Sequence, residues 1–97
     1  MFINTIEFPP IKIGKQEEFR QWFLRSNEVY SKFAGLISRR LLKSTKEAGK
    51  YVTLVEHESK ETFMAMHTSP ERQAAWEELK PLLEGSLKPG FYETEEL

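Results

Sequence analysis

The order of the predicted elements indicates an α+β domain of the ferredoxin-like split βαβ class, with helices on one face of an antiparallel sheet. Strand-like and helix-like segments follow one another as strand, helix, strand, strand, helix pair, strand. The chain has 97 residues, which is the size of one domain, and 12% of them are aromatic, which is typical of a folded core. We therefore expect a single domain over residues 1–97.

The first strand and the first helix are predicted from composition and period. FINTIEF at 2–8 is rich in β-branched and aromatic residues, and Pro9 and Pro10 end it because proline cannot donate to a sheet. Apolar residues then recur every three or four positions, which is the period of one helix face. These residues are Phe19, Trp22, Phe23, Tyr30 and Phe33. We predict a helix over 15–33 that is ended by Gly35.

Two β-type runs, LISRRLLKST and YVTLVEHE, are joined by the short loop KEAGK and predict an antiparallel hairpin. Apolar residues occupy both faces of these strands, since Leu41 and Leu42 are adjacent, as are Leu54 and Val55. Strands with this pattern are usually buried on both sides. Helices in so short a chain cover only one face, so we expect a second copy to cover the other and close a dimeric α+β barrel.

The remaining chain predicts two short helices and a last strand. Ser59 is the expected N-cap of the first of these helices, and Ser69 caps the second, with Pro70 at the first helical position. Pro81 is expected to kink or shorten the second helix. The final segment, LKPGFYETEEL, is expected to return to the sheet.

Composition excludes several classes of function. The formal net charge is −1, and no basic patch is present to neutralise several phosphates, so we expect no nucleic-acid partner. The chain has no cysteine, which excludes disulfides, thiolate nucleophiles, iron–sulfur clusters and cysteine-ligated zinc. No apolar run approaches the length of a membrane span, and no signal sequence is recognisable. We expect a soluble, cytoplasmic protein without a membrane partner.

Two histidines are the candidate reactive groups. His57 ends a predicted strand on the same face as Thr53 and Val55, and an imidazole in a cleft can act as general base for a phenol or hydroquinone. The alternative is a structural histidine that bonds to a neighbour. His67 stands at a junction between helices, where it contacts either a ligand or backbone carbonyls. The spacing of the two histidines fits no metal motif, so we predict no metal site.

Large apolar side chains predict a cleft between the helices and the sheet that binds a small, flat hydrophobic or aromatic ligand, although they are also able to form core alone. They are Trp22, Phe23, Tyr30, Phe63, Met64, Met66 and Trp76. Asn4 and Arg39 are candidate polar anchors, and Arg39 is the weaker one because adjacent arginines on a strand point in opposite directions. The predicted substrate-binding residues are Asn4, Trp22, Tyr30, Phe63, His67 and Trp76.

Three segments, GKQEEFRQWF, GLISRRLL and YVTLVEHESKETFMAMHTSPERQAAWEELKPLLEG, resemble the antibiotic biosynthesis monooxygenase family of dimeric α+β barrels. That family contains cofactor-free oxygenases that form quinones, heme-degrading enzymes and members of unknown activity. The resemblance implies a homodimeric, cofactor-independent monooxygenase that acts on a small phenol or hydroquinone, with no cofactor. The alternative is a non-catalytic dimer of the same fold that binds a small molecule or is purely structural.

The heme-degrading members of the family use an asparagine on the first strand, a tryptophan at the end of the third strand and a histidine on the last helix. The corresponding positions in this chain hold Glu7, His57 and Trp76. All three differ, so the resemblance does not extend to heme degradation by that route.

Overall fold

The computed structural model describes residues 1–97 and contains one four-stranded sheet in the order β2-β3-β1-β4. The elements are β1 (Phe2–Glu7), α1 (Gln16–Tyr30), β2 (Leu36–Lys43), β3 (Tyr51–His57), α2 (Lys60–His67), α3 (Pro70–Leu79), a 3₁₀ turn (Lys80–Leu82) and β4 (Lys88–Glu93). Every neighbouring pair of strands is antiparallel. The predicted α+β ferredoxin-like class is confirmed.

The capping residues were predicted correctly from the sequence. The Ser59 hydroxyl accepts a hydrogen bond from the backbone N–H of Thr62 at 3.1 Å, and the Ser69 hydroxyl accepts one from the backbone N–H of Arg72 at 3.1 Å. These bonds satisfy amides that have no partner inside the helix. Helix α3 ends before Pro81, which lies in the 3₁₀ turn, so the predicted shortening at this proline is confirmed.

The end of α1 differs from the prediction, because the helix stops at Tyr30 rather than at residue 33. The amides of Lys32 and Phe33 bond to carbonyls three residues back, so the chain tightens into a turn. Gly35 follows with φ +88, and a Cβ at this position would lie 2.5 Å from the side chain of Thr62. Glycine is required here both for its backbone angle and for the close approach of α2.

The two faces of the sheet have different surroundings. Side chains that point to the helices are buried, including Asn4 on β1 and Thr53 and Val55 on β3. Their neighbours Val52 and Leu54 point the other way, where no helix covers them, and are half-buried. None of the helices is long and apolar enough to cross a membrane.

The core is divided into two groups of buried side chains on the helix-bearing face. The larger group contains Phe8, Ile11, Phe19, Trp22, Phe23, Leu79, Leu82 and Leu83. The smaller group contains Phe2, Tyr30, Phe63 and Met66. This division positions the candidate site, because members of both groups line one cavity.

Candidate active site

A cavity of about 630 Å³ lies between the sheet and the helices. This volume is within the usual range for small-molecule sites, ~300–1,000 Å³. Asn4, Trp22, Tyr30, Phe63, His67 and Trp76, which the sequence predicts as substrate-binding residues, all line it. His57, the predicted base, does not. The structure therefore brings together the predicted binding residues and places His57 outside their cavity.

Aromatic side chains form the walls of the cavity and are held in place by packing and hydrogen bonds. The indole N–H of Trp22 donates to the carbonyl of Ala75 at 2.8 Å, which joins α1 to α3. The ring of Phe63 stacks on the imidazole of His67 with their centroids 5.2 Å apart. Phe91 on the edge strand β4 is half-exposed and meets Phe63 edge-on at 6.0 Å. Such walls suit a flat aromatic ligand.

His67 has a free imidazole in the cavity wall. It is half-buried, and neither ring nitrogen makes a hydrogen bond within the chain. Burial, with a smaller contribution from the positive charge of Arg72, holds the pKa of His67 below its ordinary value. The ring is therefore neutral at pH 7, and one nitrogen offers a lone pair to a proton donor in the cavity.

His57 is engaged elsewhere. Its Nδ1 is hydrogen-bonded to Oγ1 of Thr62 at 3.1 Å, and the same hydroxyl lies 3.0 Å from the carbonyl of Ser59. Nε2 is buried without a partner. The ring is fully buried and lies edge-on to Phe63 at 5.6 Å, and burial lowers its pKa. Neither histidine belongs to a group of three His, Cys, Asp or Glu side chains able to hold a metal ion.

Asn4 presents an amide oxygen to the cavity. Its Nδ2 donates to the carbonyl of Gly90 at 2.9 Å and to that of Thr5 at 3.3 Å. These two acceptors fix the orientation of the amide, since the reversed orientation would set oxygen against oxygen. Oδ1 makes no hydrogen bond within the chain and is available to a donor on a ligand.

Arg39 lines the cavity, whereas the adjacent Arg40 points to the opposite face and pairs with Glu56 at 3.2 Å. Nη1 of Arg39 donates to Oγ of Ser26 at 2.9 Å and to Oδ1 of Asn27 at 2.8 Å. The opposite directions of the two arginines follow the alternation of a strand. Arg39, which the sequence analysis treats as the weaker polar anchor, is thus part of the cavity wall.

Arg72 is a cavity residue that the sequence interpretation missed. It precedes Trp76 by four residues and Leu79 by seven on α3, and all three line the cavity. This spacing places them on one helix face, so the signal was present in the sequence. Two residues predicted for the cleft lie outside it. Phe23 is in the larger core group, and Met64 is exposed because its helix position points away from the sheet.

The positions that correspond to heme-degrading residues do not share one site. Glu7 lies on β1 and pairs with Lys50 at 3.8 Å, and His57 is buried outside the cavity. Only Trp76 lines the cavity.

Comparison with known proteins identifies the family of the chain. The family model described as antibiotic biosynthesis monooxygenase matches residues 1–78. The chain belongs to the antibiotic biosynthesis monooxygenase family. No curated protein matches it.

Several solved structures are similar to this chain in fold. A candidate antibiotic biosynthesis monooxygenase from Caulobacter crescentus CB15 has a TM-score of 0.84 at 21% identity, with 98% of this chain and 91% of that chain covered. SnoaB, a cofactor-independent oxygenase from Streptomyces nogalater, has a TM-score of 0.83 at 16% identity, with coverage of 99% and 95%. A conserved protein from Methanosarcina mazei Go1 has a TM-score of 0.87 at 16% identity, with coverage of 98% and 94%. At these identities the likeness concerns the fold.

Proposed function

We propose that the protein is a cofactor-independent monooxygenase that oxidises a small aromatic substrate of the phenol or hydroquinone type. The observation that carries the proposal is an aromatic cavity whose wall contains the unpartnered imidazole of His67. Membership of a monooxygenase family supports it. The fold that the chain shares with SnoaB, a cofactor-independent oxygenase, is consistent with it.

His67 is the base that we propose for this reaction. A base must reach the proton that it removes, either directly or through one water molecule. His67 lines the cavity with free ring nitrogens, whereas Nδ1 of His57 is bonded to Thr62 and its Nε2 is buried outside the cavity. A neutral imidazole beside the bound substrate accepts the hydroxyl proton. The Oδ1 atom of Asn4 accepts a hydrogen bond from a second hydroxyl or from a bound water and so orients the ring.

The resulting phenolate is the reductant. It transfers one electron to O₂, and the radical pair recombines to form a C–O bond at a ring carbon that carries hydrogen. The C–H proton passes to the outer oxygen of the peroxide as the O–O bond breaks, which leaves a carbonyl oxygen on the ring and releases hydroxide. Protonated His67 then gives its proton to this hydroxide, which leaves as water. For a phenol the balance is ArH(OH) + O₂ → quinone + H₂O. The substrate supplies all four electrons that reduce O₂.

Oxygen uptake with a panel of phenols and hydroquinones tests this function, with rates in the absence of protein subtracted. Uptake that requires both protein and substrate, and that falls in His67→Ala, supports the monooxygenase. A flat trace with every compound, combined with saturable ligand binding, supports instead a non-catalytic binding protein of the same fold. His57→Ala is the matched control, because this histidine lies outside the cavity.

A homodimer is part of the proposal. The face of the sheet without helices presents an apolar strip that includes Ile3, Leu42, Val52 and Leu54, and Leu42 is 43% exposed. Salt bridges border this strip, with Arg40 and Glu56 on one side. Resemblance to a family of dimeric barrels supports a second copy of the chain as the partner on this face. A cytoplasmic location stays a prediction.

A further inference from the structure

The charges that line the cavity all have one sign. Arg39, Arg72 and Lys80 line it together with His67, and no aspartate or glutamate does. Lys80 reaches Glu77 at 3.4 Å, so its charge has a partner nearby. The two arginines have none. A pair of uncompensated guanidinium groups in a largely apolar cavity indicates that something anionic belongs there.

The arginines outside the cavity show that this lack of a partner is selective. Arg20, Arg25 and Arg40 each lie within ion-pair distance of a glutamate, at 3.7, 3.5 and 3.2 Å respectively. Arg39 and Arg72 form no ion pair, although 15 of the 97 residues are acidic. The three arginines outside the cavity are thus paired with glutamates, whereas the two arginines in the cavity wall are not.

Arg39 is held with one edge of its guanidinium unused. Aromatic rings surround it, with the guanidinium carbon 4.3 Å from the ring centre of Phe23 and 4.8 Å from that of Tyr30. All its hydrogen bonds leave from Nη1, so Nε and Nη2 have no partner in the chain. Those two atoms present parallel N–H groups, the arrangement that binds both oxygens of a carboxylate. Burial lowers the pKa of Arg39 to about 10, so the group stays charged at neutral pH.

Arg72 acts on the same corner of the cavity from α3. Its side chain makes neither a hydrogen bond nor an ion pair within the chain. Arg39 and Arg72 line the cavity together with Tyr30, and the positive charges of both oppose the rise that burial causes in the pKa of Tyr30. Arg72 also lowers the pKa of His67. Arg39, Arg72 and Tyr30, which we call the cationic corner, line the same cavity as the proposed base, His67.

We propose that the substrate carries a carboxylate that binds to Arg39 and Arg72 in the cationic corner, so that its phenolic end is directed to the rest of the cavity. This inference rests on the proposed function only in calling the bound molecule a substrate, because the binding site itself is defined without any turnover. The bound carboxylate replaces the counter-ion that the chain lacks. The free edge of Arg39 is planar and two-pronged, so it can bind both oxygens of a carboxylate.

Isothermal titration calorimetry with two matched probes tests the inference. The probes are 6-hydroxy-2-naphthoate and its neutral amide, 6-hydroxy-2-naphthamide, which have nearly the same shape. We expect the carboxylate to bind ~10–100-fold more tightly than the amide at low ionic strength, as two charge-assisted contacts allow. This preference should shrink as salt is added. Arg72→Gln and Arg39→Gln should each remove most of it, and Arg39→Lys should restore only part, because lysine keeps the charge without the fork.

Arg25→Gln is the control variant, since Arg25 pairs with Glu78 outside the cavity, and it should keep the preference. Arg72→Gln stands alone as the test if Arg39→Gln does not fold. Equal affinity for the two probes, no detectable binding of the carboxylate at millimolar concentration, or a preference that survives both arginine substitutions would overturn the inference.

The proposed function fails separately from this inference. A carboxylate preference without oxygen uptake from any phenol leaves the anion site standing and removes the monooxygenase. Oxygen uptake with neutral phenols, without any preference for the carboxylate, would support the monooxygenase and overturn the carboxylate site.

Discussion

Replacing the two histidines one at a time should separate stability from turnover. In His57→Ala the chain loses the bond from Nδ1 to Thr62, worth ~1 kcal/mol, and the edge contact with Phe63, worth ~0.5–1.5 kcal/mol. The ring is fully buried, so its removal also leaves a cavity, and the total loss in free energy of unfolding should be ~2–4 kcal/mol. Turnover of the folded variant should stay within a few-fold of the wild type.

His67→Ala should behave in the opposite way. The side chain is half-buried and makes no hydrogen bond, so its contacts with the rings of Phe63 and Phe91 are lost, and the free energy of unfolding should fall by ~1 kcal/mol. Turnover should drop ~10²–10⁴-fold if the imidazole is the base. Urea unfolding measures the first quantity and an oxygen electrode the second. A drop in turnover for His57→Ala as large as that for His67→Ala, with both proteins folded, would refute the assignment of the base.

Three further predictions concern the fold and its assembly. Sedimentation equilibrium at micromolar concentration should give twice the mass of one chain, and a monomeric wild type would contradict the dimer. Leu54→Asp should give a monomer, because an unpaired carboxylate in an apolar interface costs several kcal/mol. Gly35→Ala should lower the free energy of unfolding by ~1–3 kcal/mol, since φ is +88 and Cβ would meet Thr62, and an unchanged urea midpoint would contradict this. Burial lowers the pKa of His57 and of His67, so the unfolded chain binds protons more readily as the pH falls below ~6.5, and the free energy of unfolding should rise as pH increases toward ~6.5. His57→Asn should flatten that rise, and an unchanged slope would exclude His57 as its source.

Local signals in the sequence predicted the elements of the fold well. Ser59 and Ser69 cap their helices because serine at that position satisfies amides that the helix cannot, and this chemistry needs no tertiary contact. Pro81 ends α3 for an equally local reason. The end of α1 was less predictable, because the chain after Tyr30 leads to Gly35, which packs against Thr62, a residue 27 positions further along the chain.

The sequence predicted which face of the sheet carries the site, but it did not predict how far the cavity extends. Strand alternation assigned His57 to the same face as Thr53 and Val55, and all three side chains are buried there. Alternation says nothing about how far along a strand a cavity extends. The start of α2 closes over the end of β3 at Thr62 and Phe63, so the cavity reaches Val55 but not His57.

The sequence also did not predict which arginines lack an ion-pair partner. The interpretation treats each arginine by its local spacing, whereas the lack of an ion pair at Arg39 and Arg72 depends on where fifteen acidic side chains lie in space. Only the folded arrangement shows that none of them lines the cavity.

Isotope incorporation distinguishes a monooxygenase from an oxidase. A phenol that supports oxygen uptake is incubated with the protein under ¹⁸O₂, and the quinone is reduced at once to limit exchange of its carbonyl oxygens with water before mass spectrometry. The proposed reaction predicts one ¹⁸O atom in each product molecule and no hydrogen peroxide, because the second oxygen atom leaves as water. A product without ¹⁸O, accompanied by hydrogen peroxide equal to the oxygen consumed, would show an oxidase and contradict the monooxygenase.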